Sequence, residues 1–318
     1  MQNYLFVHFK EKRTPDGEQV YFAISKDGYK WDAINGGNPV LWSMLGEKGV
    51  RDFTIVRGDD GIFRILATDL SLSYEMKPKY EDNWRNVQLY GSHSLMMWES
   101  KDLLHWSEEK AIEIGAKNGG CVWAPDVILD PKTGEYILHY SSPNLENDMT
   151  MTIYYCRTKD FKTFSEPAIL YENPNGGTID SCMVENNGTY YLWVKNMNEP
   201  CGVCMLKSDS ITGPFERIYE FDKEMDTLVG GKAAYEAPTA VKLEDGSYNL
   251  FLDFFGVRGA GQGYVPFHSA DISTGIFKRS DAAFSYPYGF KHGTILVITP
   301  EEYESIASFD YEAEGYNR

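Results

Sequence analysis

Asp52, Trp123, Asp180, Glu236 and His292 stand 71, 57, 56 and 56 residues apart, and each opens a short apolar stretch: "DFTIV", "WAPDVI", "DSCMV", "EAPTAV" and "HGTILV". Three carboxyls, an indole and an imidazole are groups that exchange protons with a ligand and pack against it. Singly, none of them signifies much. An acid ahead of a strand is ordinarily a solvated turn residue, a tryptophan there packs, and a histidine there hydrogen-bonds. Aspartate is nevertheless a poor strand former, and an ionised carboxylate is costly to bury without a partner. Three acids at matching register in three of five copies therefore indicate a shared site rather than five accidents.

The elements that must position these residues form a repeat. One unit is an aromatic or apolar strand, then Ser/Thr-x-Asp, then an aromatic: "FAISKDGYKW", "MWESKDLLHW" and "YYCRTKDFKTF", with looser copies in "MLKSDSITGPF" and "PFHSADISTGIF". A second is a Gly turn running into a strand, as in "DGIFRILA", "TGEYILHY", "NGTYYLWV" and "DGSYNLFL". With the apolar stretch ahead of each, the unit is four strands repeated five times, the blade of a β-propeller. The N-terminal strands "NYLFVHFK" and "VYFAISKD" lack an inner strand before them, while "HGTILVIT" near the C-terminus has no outer strands after it. Joining the two ends completes a fifth blade and removes the exposed edges. No segment carries a 3.6-residue apolar period of helical length, which excludes a parallel α/β fold. The expectation is one all-β domain over residues 1–318, a five-bladed propeller of four-stranded antiparallel blades closed by both termini. The five leading residues then ring one mouth of the central channel.

Composition bounds what that mouth can bind. A net charge of −17 argues against nucleic acid and anionic membranes, which call for basic surface. No apolar run approaches a membrane span. Met1-Gln2-Asn3 leads straight into a strand with no leader-like segment, so a cytoplasmic protein is expected. Five cysteines, an odd number, do not form a disulfide framework, and "CGVC" has no second CxxC to complete a metal site. By strict alternation, Asp126 lies on the face opposite Trp123 and reads as a structural or supporting acid. Alternation likewise turns Arg51 away from Asp52. Cys182 sits near the pocket, but as a nucleophile it would need His292 as its base.

The segments "GVRDFTIVRGDDGIFRILATD", "MWESKDLLHWSE", "CVWAPDVILDPKTGEYILHY", "TIDSCMVENNGTYYLW", "YEAPTAVKLEDGSYNLF", "GYVPFHSADIS" and "HGTILVIT" together resemble glycoside hydrolase family 43 over almost the whole chain. These are five-bladed propeller enzymes acting on arabinose- and xylose-containing glycans. The resemblance implies an inverting hydrolysis in which Asp52 matches the general base, Asp180 the acid that tunes its neighbour, and Glu236 the general acid. An inverting pair is held roughly 6.5–9.5 Å apart to admit water, a gap that opposite blades can span. A carboxylate beside Glu236 is expected to keep its proton on. The sequence departs from the family pattern in having Phe53 where Pro commonly follows the first Asp, and Ala-Pro rather than Gly-Pro after Glu236.

The resemblance also bears on the ligand. His292 matches the position that in some members holds a central calcium or similar ion through waters, although no cofactor is required for the reaction. Trp123 and Phe53 are expected as apolar pocket walls, with His292 and Arg258, from the Gly-rich "GVRGAGQGY", reaching the sugar. The insertion from Ser71 to Ser92 is expected at the rim, setting leaving-group preference. The leading expectation is release of terminal α-L-arabinofuranosyl units from plant-type glycans, with β-xylosidase the alternative. A retaining fructosidase-like propeller is disfavoured because "NYLFVHFK" carries no acid in the nucleophile's place. A non-catalytic glycan-binding propeller would ordinarily have lost one acid of the three.

Overall fold

The computed structural model describes residues 2–10, 12–117, 119–198, 202–229, 235–255 and 263–315. Among them, strands form five four-stranded antiparallel sheets. Blade one holds β1 (Asn3–His8), β2 (Tyr21–Ser25) and β3 (Asp32–Ala33); blade two holds β4 (Val50–Arg57), β5 (Phe63–Asp69), β6 (Ser94–Ser100) and β7 (Lys110–Glu113). Blade three holds β8 (Trp123–Asp130), β9 (Glu135–Asn144), β10 (Thr150–Thr158) and β11 (Ala168–Tyr171); blade four holds β12 (Thr178–Asn186), β13 (Thr189–Asn196), β14 (Val203–Ser208) and β15 (Glu216–Arg217). Blade five holds β16 (Tyr235–Lys242), β17 (Tyr248–Phe254), β18 (Gly263–Ser269) and β19 (Lys278–Arg279), after which β20 (Thr294–Ile298) returns to pair with β1 and complete blade one. The inner strands β4, β8, β12, β16 and β20 touch one another in a closed ring. The five-bladed, end-closed propeller expected from the repeat is therefore the observed fold.

Alternation along the second strand of each blade explains why the sheets stack radially. In β9, Tyr136, Leu138 and Tyr140 enter the cluster against blade two, while Ile137 enters the cluster against blade four. In β13, Leu192 and Val194 face blade three, and Tyr191 and Trp193 face blade five. A strand apolar on both faces must be covered on both, and only neighbours on either side can do that. The Ser/Thr-x-Asp motif is a turn device. Ser25 Oγ accepts from the Gly28 amide at 2.9 Å and Asp27 Oδ1 from the Tyr29 and Lys30 amides at 2.8 Å, and Ser100 with Asp102 and Thr158 with Asp160 repeat the pattern. Short polar side chains thereby satisfy the backbone donors that the chain leaves on exiting the third strand.

Among the described residues three short α-helices accompany the strands: α1 (Trp84–Tyr90), α2 (Tyr219–Val229) and α3 (Pro300–Ser308). They lie in connections and at the end of the chain, too short to impose a long apolar period. α3 is fixed at its start by a capping box between Thr299 and Glu302, with Pro300 as its first residue, the "TPEE" signature of a helix start.

The seam of the closed blade is aromatic. Phe6 is fully buried and sits 5.3 Å from Trp31, 5.1 Å from Phe290 and 5.5 Å from Tyr264, ring centroid to centroid. Phe6→Ala is expected to cost about 3–5 kcal/mol of stability, measured by chemical denaturation. A loss below about 1 kcal/mol would mean that closure does not depend on this packing.

Candidate active site

Four of the five inner strands begin with the same backbone irregularity. Asp52, Ala124, Asp180 and Ala237 have φ of 51°, 49°, 51° and 53°, and the strand register shifts at each. These are β-bulges carrying a left-handed residue, a conformation costing L-residues roughly 1–2 kcal/mol. A bulge adds one residue before alternation resumes, so two successive side chains turn to the same side. Arg51 with Asp52, Ile179 with Asp180, and Glu236 with Ala237 accordingly all line one cavity of about 270 Å³, together with Trp123 and His292. The fifth strand is handled by Gly293, where a Cβ would lie 1.8 Å from the Val7 carbonyl oxygen.

The bulge overturns the expectation that alternation sets for Arg51, and the expected wall residue Phe53 is corrected as well. Arg51 is not turned away: it lines the cavity, its guanidinium 3.7 Å from Glu18 and stacked 4.8 Å from the Phe9 ring. Phe53 is not a pocket wall: fully buried, it packs in the cluster between blades one and two, and Phe9, Leu70 and Trp84 supply the apolar wall instead. Asp126, expected on the face opposite Trp123, is absent from the cavity lining. It is buried between the inner strands on either side of its own, accepting from Thr54 Oγ1 at 3.2 Å and from the Met183 amide at 2.9 Å. Its supporting character stands, since it ties the strand of Asp52 to the strand of Asp180. The residues that looked equivalent thus divide, Asp52 and Asp180 on the left-handed residue, Trp123 and Glu236 one position earlier, and His292 ahead of a strand without this bulge. Arg258 lies outside the described residues.

The acids differ in their surroundings. Burial pushes Asp52 upward, but the hydrogen bond and charge of His292, the Arg51 charge and the Thr68 hydroxyl outweigh it, leaving the carboxyl below its ordinary value. His292 Nδ1 lies 3.4 Å from Asp52 Oδ1. Burial would lower the imidazole, yet Asp52, Asp180 and Asp253 raise it above its ordinary value. Asp180 is pushed up to about 6, first by burial and then by the Glu236 and Asp52 charges, against the pull of His292 and Lys195. Its Oδ2 accepts the Ala237 amide at 3.1 Å, next to Glu236.

Glu236 has a partner that the sequence did not announce. Lys195 Nζ is 2.5 Å from Glu236 Oε2 and 4.0 Å from the Phe255 ring centre. Lys195 belongs to β13, directly opposite Ile179. A second pair, Lys291 Nζ with Asp253 Oδ2 at 2.8 Å, is almost fully buried in the cavity wall.

Two further expectations meet the structure here. His292 Nδ1 is committed to Asp52, and among the described residues no cluster of three or more His, Cys, Asp or Glu side chains could ligate an ion directly, which leaves contact through waters as the form an ion near His292 could take. Cys182 is buried with its thiol raised well above the ordinary value by burial, the opposite of an activated nucleophile.

A small cavity at the mouth of a five-bladed propeller, walled by tryptophan and holding carboxyls from three blades, is the architecture of the propeller glycoside hydrolases. The chain belongs to the glycosyl hydrolase 43-related family, whose model, described as "Probable glycosyl hydrolase domain", matches residues 1–304. It is 26% identical over 208 residues, 58% of this chain, to an α-L-arabinofuranosidase of Bifidobacterium longum subsp. longum, and that match spans only 19% of the relative's length. Among solved structures, an endo-1,4-β-xylanase of Bacteroides thetaiotaomicron VPI-5482 matches with a TM-score of 0.60 at 14% identity, covering 87% of this chain and 90% of the other. The GH43 protein BlXynB of Bacillus licheniformis matches with 0.58 at 15%, covering 92% and 54%. At such identities the likeness is one of fold.

Because the native pKa of Asp180 is about 6 against an ordinary 3.8, folding favours its protonated form. The resulting penalty is absent below the ordinary value and complete above pH 6. Asp180→Asn is therefore expected to melt roughly 2–4 °C above the wild type at pH 7.5, the gap narrowing as pH falls through 6 towards 4. A gap of constant size, or a destabilised variant, would contradict the assignment.

Proposed function

We propose that the protein is an inverting glycosidase that releases terminal α-L-arabinofuranosyl units from plant-type oligo- or polysaccharides. The reading is carried by one observation: Asp52, Asp180 and Glu236 come from three blades to line one small cavity with Trp123. The arabinofuranosidase activity named for the Bifidobacterium relative supports the choice of sugar. A cavity of about 270 Å³ is below the size that takes drug-like ligands and suits a single terminal sugar ring.

In this reaction Asp52 accepts a proton from water as the water oxygen bonds to the anomeric carbon. The glycosidic C–O bond breaks on the opposite face, and the leaving oxygen takes a proton from the Glu236 carboxyl. His292 and Arg51 keep Asp52 ionised for the task. Asp180 holds the Ala237 amide and so fixes the backbone at Glu236. The net change is the addition of water across one bond, with no redox step. The charge of −17 suits a neutral substrate. Cys121, Cys156 and Cys182 are buried free thiols, which supports a reducing compartment, the cytoplasm.

The test is a pair of nitrophenyl assays, α-L-arabinofuranoside against β-D-xyloside, with the first-formed anomer read by NMR. Arabinofuranoside turnover giving the β anomer is expected, whereas preferred xyloside turnover would move the assignment to β-xylosidase and a retained anomer would remove the inverting mechanism. Asp52→Asn is expected to lower kcat by about 10²–10⁴. Glu236→Gln should lose far more on an arabino-oligosaccharide than on the nitrophenyl glycoside, whose good leaving group needs little protonation. Undiminished activity in Asp52→Asn would remove it as the base.

A further inference from the structure

Each inner strand starts at the mouth of the channel, so its antiparallel neighbour ends there and the connection to the third strand departs from that rim. In blade two this connection, residues 70–93, is the longest of its kind and contains α1. The segment has a core of its own: Leu70, Leu72, Met76, Tyr80 and Val87 form an apolar cluster against which Trp123 packs. Its ends and middle are tied down as well. The Leu72 amide donates to Glu18 Oε2 at 2.7 Å, the Cys121 amide to the Gln88 carbonyl at 2.9 Å, and Arg85 Nη1 to the Met149 carbonyl at 3.1 Å. Asn83 caps the helix by accepting from the Arg85 amide.

On this rigid support Trp84 is 44% exposed while lining the cavity. Its ring stands edge-on to Trp123, 6.2 Å away at 89°, and the Arg51 guanidinium lies 5.8 Å from its centre. Exposure rises in steps from the acids outward. Asp180 is 8% exposed, the Asp52 and Glu236 side chains 18% and 26%, then Trp84 at 44% and Met197 at 50%. A substrate whose terminal ring reaches the acids must leave its next unit at the level of Trp84 and Met197. A large indole held in water by a well-packed helix is costly to leave exposed, and its negative face matches the C–H face of a pyranose.

We propose that Trp84 is the stacking platform for the sugar on the leaving-group side of the scissile bond, which makes this chain selective for a terminal unit attached to a pyranose chain rather than to a small aglycone. The proposal rests on the glycosidase reading above. Trp84 adds ground-state binding that persists in the transition state, so its loss should appear in KM.

Two substrates separate platform from chemistry: α-L-arabinofuranosyl fluoride, which fills the floor and has nothing at the rim, and arabinofuranosyl-substituted xylotriose, which reaches it. In Trp84→Ala, KM for the xylotriose substrate is expected to rise about tenfold or more with kcat little changed. On the fluoride, the loss in kcat/KM should be at least about fivefold smaller than on the xylotriose substrate, and Trp84→Phe should recover most of the oligosaccharide loss. Equal losses on both substrates, or no loss on the oligosaccharide, would overturn the proposal. Should the wild type hydrolyse neither, the glycosidase reading falls. The platform is then judged by titrating the same xylotriose derivative into wild type and Trp84→Ala, where equal affinities would overturn it and a tenfold weaker variant would uphold it.

Discussion

The cavity exists because the backbone goes left-handed for one residue at the start of four inner strands. Without that step a strand offers its axis every second side chain, and a carboxyl at the mouth would have an outward-facing neighbour on each side. With it, Arg51 and Asp52, Ile179 and Asp180, and Glu236 and Ala237 reach the cavity as consecutive pairs. Each left-handed residue is strained, and together they could cost several kcal/mol. The strain persists because the ladders beyond each bulge are fixed, β4 against β5 from Thr54 to Arg57 and β12 against β13 from Ser181 to Asn186. The closed ring of blades leaves no edge at which it could relax.

Charges at the mouth follow from that geometry. Asp52 faces His292, Glu236 faces Lys195 and Asp253 faces Lys291, so most carboxyls arrive with a cation. Asp180 is held by the Ala237 amide rather than by an ion pair, and it is the site acid driven up towards 6. Asp52 and Asp180, two acids in one cavity, are thereby separated in protonation behaviour by what each touches. Behind them, Asp126 is also raised to about 6 by burial, and His139, lowered to about 3 by burial, hydrogen-bonds Ser181 at 2.7 Å. The strand carrying Asp180 is thus braced by buried polar groups.

How much of this was legible beforehand depended on whether the signal was periodic. The four-strand repeat, the split blade and the three acids are written at regular intervals, and all reappear as placed. A bulge is a single-residue backbone event that leaves a period-two pattern intact, so alternation turns Arg51 away from the cavity it lines, while an aromatic beside an acid, as at Phe53, reads the same whether it walls a pocket or packs between blades. Lys195 was invisible for another reason: its place opposite Ile179 depends on strand register, which the sequence near Glu236 does not carry. The "TPEE" start of α3 carries a capping-box signature, but a helix of 9 residues is too short for a long helical period.

The same geometry separates chemistry from selectivity. The acids sit on inner strands whose positions are fixed by neighbours on both sides, so their spacing changes only if the ring of blades changes. The connections from second to third strands depart from the mouth and touch the acids little. The segment 70–93 illustrates the division, for it carries its own apolar cluster and hydrogen bonds to the loops beside it. It can lengthen, shorten or exchange Trp84 without disturbing the ladder that holds Asp52. Arg51 is the point of contact between the two layers, since it lies beside Asp52, pairs with Glu18 and reaches the Trp84 ring. Glu18 in turn accepts the Leu72 amide, so the charge that holds the base ionised is anchored to the segment that frames the rim. Replacing Trp84 alone leaves the Arg51–Glu18 pair, and with it the charge beside Asp52, in place.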